Sequence, residues 1–369
     1  MNGSWHIGRI AGIDLKIHPT FLFLLIWVGF SSVLSGGSIG MMASELIFIL
    51  ALFLSVVLHE LGHALMAKRF KISTTDITLL PIGGIARLER MPEDPKEELW
   101  VAAAGPAVNI VISAILFAGL FLTGVFSQPL NSLLQLNNFW LRLFTANLTL
   151  VVFNLIPAFP MDGGRVLRAF LALRMDHVKA TQIAANIGRG LALIMGIYGI
   201  FTNPWLAMIA VFVWTGAGTE AKSVALKANL SGLVVRDALI SQFYQVEANQ
   251  PLSDVFQLLM KTGQQFVPVT SNGRFLGIIQ RNDLVKALER LGDRAPAYAA
   301  IGVELQGLHP EMPLPEVLEK FSVSRIQPVI ENDQLIGLVT PESVQQRMWL
   351  HQRMNDAKPH PSEEKTTSV

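Results

Sequence analysis

Leu46-Ile-Phe-Ile-Leu-Ala-Leu-Phe-Leu-Ser-Val-Val-Leu58 runs directly into His59-Glu60-Leu61-Gly62-His63. An apolar run of this length, continued to Ala67, reads as a membrane-crossing helix. On such a helix two imidazoles four residues apart share one face, with the Glu60 carboxylate beside the first. That is half a zinc site and a general base, set in lipid. The plain alternative is two histidines satisfied by hydrogen bonds inside a helix bundle. With 8 histidines and 28 acidic residues in 369, chance supplies only about 0.01 copies of the pattern.

The surrounding composition agrees with a membrane setting. Hydrophobic residues make up 51% of the chain and charged ones 15%, and mean hydropathy is +0.43, too apolar for an ordinary soluble protein. Charge is sparse up to about Lys222 and ordinary afterwards, which implies a membrane part followed by a soluble part. A net charge of +1 without a basic patch argues against a nucleic-acid partner. The absence of cysteine excludes disulfides and thiolate zinc ligands.

Six spans are predicted, at Pro19 to Leu34, Ala43 to Ala67, Trp100 to Phe126, Phe139 to Phe159, Ala180 to Phe201 and Pro204 to Gly218. Arg9 and Lys16 before the first apolar run also fit a leader, but no A-x-A-like site comes after it. Lys68, Arg69 and Lys71 follow span two, and Arg165, Arg168, Arg174 and Lys179 follow span four. Ser35 to Ser44 and Thr123 to Asn138 contain no Lys or Arg. This asymmetry implies a multi-pass protein of the cell membrane with both termini cytoplasmic, and the histidines then lie close to the cytoplasmic face. Arg142 sits awkwardly near the outer end of span four and is expected to snorkel to the interface.

A catalytic zinc usually takes three protein ligands, so one is missing. Glu45, fourteen residues before His59, is about 21 Å away along the helix and cannot reach. Asp162 can. It lies in Asn154-Leu-Ile-Pro157-Ala-Phe-Pro160-Met-Asp162-Gly163-Gly164-Arg165, where two prolines and two glycines break span four at the depth of the histidines. Taken alone, Asp-Gly-Gly is a turn whose Asp caps the next segment. Beside an intramembrane HExxH, the ligand reading takes precedence. Ile77 to Leu88, divided by Pro81-Ile-Gly83-Gly84, is apolar and too short to span, and reads as a strand pair dipping in beside the site. The plain alternative is a buried structural hairpin. Gly105, Pro106 and Ala107 are small enough for close helix packing in lipid, with Asn109 a candidate hydrogen-bond partner near the site.

These residues resemble the site-2-protease family of intramembrane zinc metalloproteases, in its prokaryotic branch with C-terminal tandem CBS domains. The resemblance rests on HELGH at His59 to His63, on Gly105-Pro106 with Asn109, and on N-x-x-P-x-x-x-x-D-G from Asn154 to Gly163, and it covers about Gly8 to Lys222. It implies one zinc ion held by His59, His63 and Asp162, Glu60 as catalytic base, and Asn154 helping to hold the substrate carbonyl. It also implies that the segment with Gly83 and Gly84 pairs with extended substrate by strand addition. The substrate would be a membrane protein with a transmembrane segment, cut near the cytoplasmic face.

After Lys222 the chain repeats itself. Phe266 to Ile279 aligns without gaps to Ile326 to Val339, and Pro251-Leu-Ser-Asp-Val matches Pro313-Leu-Pro-Glu-Val. Each copy reads as helix, strand, turn at Asn272-Gly273 or Asn332-Asp333, strand, helix. This is similar to a tandem CBS pair, which in many relatives binds adenosine nucleotides. Such repeats usually show Thr or Ser, then Asp three residues later. Here the first copy has Gln280 with Asp283 and the second Thr340 with Ser343, so each keeps one member. The resemblance implies either a nucleotide held at Asp283 and Thr340 or a structural, homodimerising module.

The expected fold is thus an all-α polytopic membrane domain of about six transmembrane helices with a short membrane-dipping β-hairpin, residues 1–222, plus a soluble α/β tandem CBS module, residues 223–350. The repeats are placed at about 234–290 and 298–347, and 351–369 is read as a disordered tail. The rival function is a CBS-regulated metal or ion transporter using the same four residues as a permeation site. It has no need for a base beside two ligands, and the membrane half shows none of the internal repeats common in transporters.

Overall fold

The computed structural model describes residues 3–81, 83–92, 94–127, 138–302, 305–321 and 324–356, and divides into two compact units, Met1–Val224 and Ala225–Val369. The first begins with two strands, β1 (Trp5–Ile10) and β2 (Ile13–Ile17), joined by a turn in which Ala11 and Gly12 both have positive φ. Helices α1 (Thr20–Leu34) and α2 (Ile39–Arg69) follow, then β3 (Thr74–Leu80) and β4 (Gly83–Leu88). The strand pair expected at Ile77 to Leu88 is therefore one half of a four-stranded sheet ordered β1-β2-β3-β4, and this corrects the two-strand reading. The closing contact is parallel pairing of β2 with β3, stitched by Lys16 Nζ donating to Asp76 at 2.7 Å. Phe21 and Leu24 of α1, Phe53 and Val57 of α2, and Leu15, Ile17 and Leu79 of the sheet form one core. A neighbouring cluster, in which Ala86 packs with Leu61 and Ala64 of α2 and with Ile77, lays β4 along α2.

Helix α3 (Pro95–Leu122) starts on the Asp94 side chain, which accepts from Lys96 N, and α4 (Phe139–Asn154) starts on Asn138 in the same way. Beyond Asn154 the chain makes a tight loop through Pro157 and Pro160, neither of which can donate to a helix, and α5 (Asp162–Ala172) begins at Asp162. The fourth apolar stretch therefore ends at Asn154, five residues short of the expected Phe159. Gly163 and Gly164 let the start of α5 lie against this loop: a Cβ on Gly164 would stand 2.6 Å from Ala158 C and Phe159 N. Helices α6 (His177–Thr202) and α7 (Pro204–Asn229) complete the series.

Among the described residues, α2, α3 and α6 are long and apolar enough to cross a membrane, by length and composition, while α1 and α4 are apolar but shorter. Phe23, Ile26 and Phe30 of α1 and Ile194, Ile200 and Phe201 of α6 point outward, the surface that lipid requires. Arg142 departs from the expectation of snorkelling. Its guanidinium makes a two-pronged pair with Glu45, at 2.7 and 2.8 Å, over the Phe48 ring. Arg168, which the sequence places among the connector charges, is 2% exposed; it pairs with Glu98 of α3 and Glu220 of α7 above the Phe159 ring.

The second unit is built on a sheet ordered β5-β6-β7-β9-β8: β5 (Val246–Glu247), β6 (Phe266–Ser271), β7 (Arg274–Gln280), β8 (Gln327–Glu331) and β9 (Gln334–Val339). Its helices are α8 (Leu252–Thr262), α9 (Arg281–Leu291), α10 (Leu314–Lys320) and α11 (Pro341–Asp356). Both hairpins close through residues with positive φ at the two central positions, Asn272-Gly273 and Asn332-Asp333, as right-handed strand twist demands. The two cores borrow from each other's sequence: Leu230, Leu233, Val235 and Ala238 pack with Leu314, Val329 and Val339, whereas Ala297 and Ala300 pack with Leu252, Val267 and Ile279. Residues 351–356, expected to belong to the tail, continue α11, and the rest of the expected tail lies outside the described residues.

Burial separates the ion pairs of Arg168 from that of Arg142. Arg168→Met leaves Glu98 buried without a partner and is expected to cost about 3–5 kcal/mol. In Arg142→Met both members are about a third exposed, and the cost falls to about 1 kcal/mol or less. Melting temperatures of the two purified variants in detergent should differ accordingly; equal losses would contradict this.

Candidate metal centre

His59 and His63 sit one turn apart on α2, both buried, with ring centroids 4.8 Å apart. Their Nε2 atoms are 3.1 Å from each other, and each is 3.1 Å from Asp162 Oδ2. These three side chains form a candidate metal-ion site among the described residues. The donor set of two imidazoles and a carboxylate suits zinc, whose tetrahedral ligand atoms at about 2.1 Å bonds stand about 3.4 Å apart. The triangle is close to that spacing.

Each element delivers its ligand for a local reason. Asp162 is the first residue of α5, yet its side chain does not cap that helix, and Met161 in the capping position makes no side-chain hydrogen bond. The carboxylate turns to the imidazoles instead. His63 Nδ1 lies 2.7 Å from the Val101 carbonyl oxygen and His59 Nδ1 lies 2.8 Å from Asn109 Oδ1, which leaves both Nε2 lone pairs for an ion. Gly105 of α3 faces the ligand atoms directly: a Cβ there would overlap His63 Nε2 and stand 2.7 Å from His59 Nε2.

Glu60, on the adjoining face of α2, accepts a hydrogen bond from the Ala86 backbone N–H of β4 at 3.2 Å. Gly84 lies against it, where a Cβ would meet Glu60 Cγ at 2.8 Å, while Gly83 faces open space. His59, Glu60, His63, Asp162 and Gly84 are thus brought together. Asn154 is half-buried at the C-terminal end of α4, with no hydrogen-bond partner for its side chain among the described residues. In the second unit Asp283 stands in the first turn of α9 with its carboxylate against Gly302. The Thr340 hydroxyl accepts from Ser343 N at 3.2 Å, so it is engaged in capping α11. Sequence reasoning missed Asn147, a fully buried asparagine of α4 hydrogen-bonded to Asn109. A polar residue inside an apolar stretch is the signal that marked it.

Paired histidines on a helix, an adjoining glutamate and one carboxylate as third candidate ligand make up the residue set of a metallopeptidase-type centre. The model of peptidase family M50 matches residues 47–196, and that of the CBS domain matches residues 235–290 and 305–348. A zinc metalloprotease of Methanocaldococcus jannaschii is 32% identical over 362 residues, covering 97% of this chain and 100% of its own. The stage IV sporulation protein FB of Bacillus subtilis is 29% identical, covering 52% of this chain and 59% of its own. A solved site-2 protease from Methanocaldococcus jannaschii shares 40% identity, covers 59% of this chain and 95% of its own, and superposes with a TM-score of 0.43. The chain belongs to peptidase family M50, the site-2 proteases, and carries a tandem CBS module after its peptidase domain.

Gly105→Ala is expected to lower the bound metal content of the purified protein at least about tenfold by displacing the imidazoles. Metal analysis after dialysis against buffered Zn²⁺ reads this, and a wild-type stoichiometry and affinity would rule out Gly105 against the rings.

Proposed function

We propose that the protein is an intramembrane zinc endopeptidase that cuts membrane-protein substrates in or beside a transmembrane segment, close to the cytoplasmic face. The observation that carries this is the meeting of His59 Nε2, His63 Nε2 and Asp162 Oδ2 beside a carboxylate held by a strand edge. His59, His63 and Asp162 would hold one zinc ion, which would supply a lowered pKa for its water and polarisation of the scissile carbonyl. Glu60 takes the proton of the attacking water on its carboxylate and passes it to the leaving amine nitrogen. Its hydrogen bond from Ala86 fixes one carboxylate oxygen and leaves the other for this transfer. Asn154 donates its amide hydrogen to the oxygen of the attacked carbonyl.

A helical substrate hides its carbonyls in hydrogen bonds and must be extended before attack. Strand β4 is an edge of its sheet, and its Gly83-Gly84 end lies beside Glu60 without side chains to obstruct an added strand. In this reading residues 1–222 cross the cell membrane six times, the β4 hairpin dips in beside the site, and both termini face the cytoplasm. Residues 223–350 form the regulatory module, taking an adenosine nucleotide beside Asp283 and Thr340 or joining two copies of the chain.

In vesicles containing a transmembrane substrate, Glu60→Gln should lose about 10²–10⁴-fold in cleavage rate while retaining zinc. Asp162→Ala should lose the zinc as well. Undiminished cleavage by Glu60→Gln would end the peptidase reading, and loss of ion flux in that variant without a proteolytic defect would favour a transporter.

A further inference from the structure

His59 and His63 can offer Nε2 to an ion only when the proton of each ring is on Nδ1. For His63 the backbone decides, because its Nδ1–H donates to the Val101 carbonyl, which can only accept. His59 is served differently. Its Nδ1 faces the Asn109 carboxamide, and a carboxamide has a donor end and an acceptor end of nearly the same shape. Asn109 alone therefore leaves the tautomer of His59 open.

Asn147 removes that freedom. Its amide nitrogen donates to the Leu143 carbonyl at 2.9 Å and to the Ser55 hydroxyl at 3.3 Å, and that hydroxyl donates to the Ala51 carbonyl at 3.2 Å. Both carbonyls accept only, so the Asn147 oxygen must point to Asn109, whose nitrogen donates to it at 3.1 Å. Asn109 then has only its oxygen left for His59, and His59 Nδ1 must be the donor. Both asparagines are 0% exposed, so water does not compete for any of these atoms.

We propose that Asn147 is a positioning residue for the metal centre: through Asn109 it selects the Nδ1–H tautomer of His59 and so sets the affinity for the ion. The inference rests on the metal-site reading and adds to it a residue on a third helix. The polarity of one backbone carbonyl, that of Leu143, is relayed by two side-chain amides to a ligand on α2.

The test uses the full chain in detergent, with Zn²⁺ affinity read by competition with a chromophoric chelator and melting temperatures recorded with and without Zn²⁺. Asn147→Leu should weaken Zn²⁺ binding about 10–100-fold and shrink the Zn²⁺-induced rise in melting temperature. A merely structural role would shift the melting curves with and without the ion alike. Ser113→Ala removes a buried hydroxyl of α3 that has no hydrogen-bond partner among the described residues, and should leave the affinity unchanged. The decisive variant is Asn109→Asp with Asn147→Leu. A carboxylate has no donor end to misplace, so His59 regains its acceptor without Asn147 and affinity should return to within about threefold of wild type. Asn147→Ala gives a second side chain for the same comparison. Wild-type affinity in the Asn147 variants, or a loss that Asn109→Asp does not restore in a cooperatively melting double variant, would overturn the proposal. A wild-type protein without Zn²⁺ affinity would instead overturn the metal reading itself.

Discussion

Three candidate ligand atoms and the Glu60 carboxylate stand inside an apolar helical unit, and each polar atom there is costly unless matched. The rest of the helical unit is organised around that constraint. Val101 and Asn109 engage the far nitrogens of the two imidazoles, and Ala86 donates to Glu60. Gly105 gives up its side chain so that α3 can come within contact of the ring nitrogens. The prolines between α4 and α5 end one helix and let the next begin where Asp162 meets the histidines.

Holding four helices in that register takes long-range ties, and the structure supplies them as charges. Arg168 lies six residues after Asp162 and draws α5 to α3 and α7 through Glu98 and Glu220. Its guanidinium is almost wholly buried, so the pair fixes geometry rather than adding much net stability. The sheet ties in a different way. Parallel pairing of β2 with β3 anchors the hairpin whose second strand touches Glu60, so residues before Thr20 bear on the position of that carboxylate.

Much of this was legible in the chain. The HELGH pentapeptide within an apolar run marked the candidate centre, and the Pro-Gly break around Asp162 marked where a carboxylate joins the two imidazoles. The hairpin turns of the second unit could be read from Asn-Gly and Asn-Asp between β-rich segments. Less visible were β1 and β2: β1 pairs with β2, β2 pairs onward with β3 across a long stretch of chain (Asp14 opposite Asp76), and their charged residues mask the alternation. Arg142 looked misplaced because its partner, Glu45, is on another helix. Asn147 was overlooked because one polar residue in an apolar helix has no local explanation; its partner Asn109 comes from another helix.

The sequence by itself determined which atoms are available for chemistry and the order in which they occur, since helical spacing, helix-breaking residues and turn residues act locally and are written in consecutive positions. Only the tertiary structure decided what each of those atoms faces. The convergence on Asp162 Oδ2, the cushioning of Glu60 by Gly84 and the relay from Leu143 to His59 join residues on separate elements. Such contacts depend on how helices pack, and packing is a property of the whole unit that no window along the chain contains.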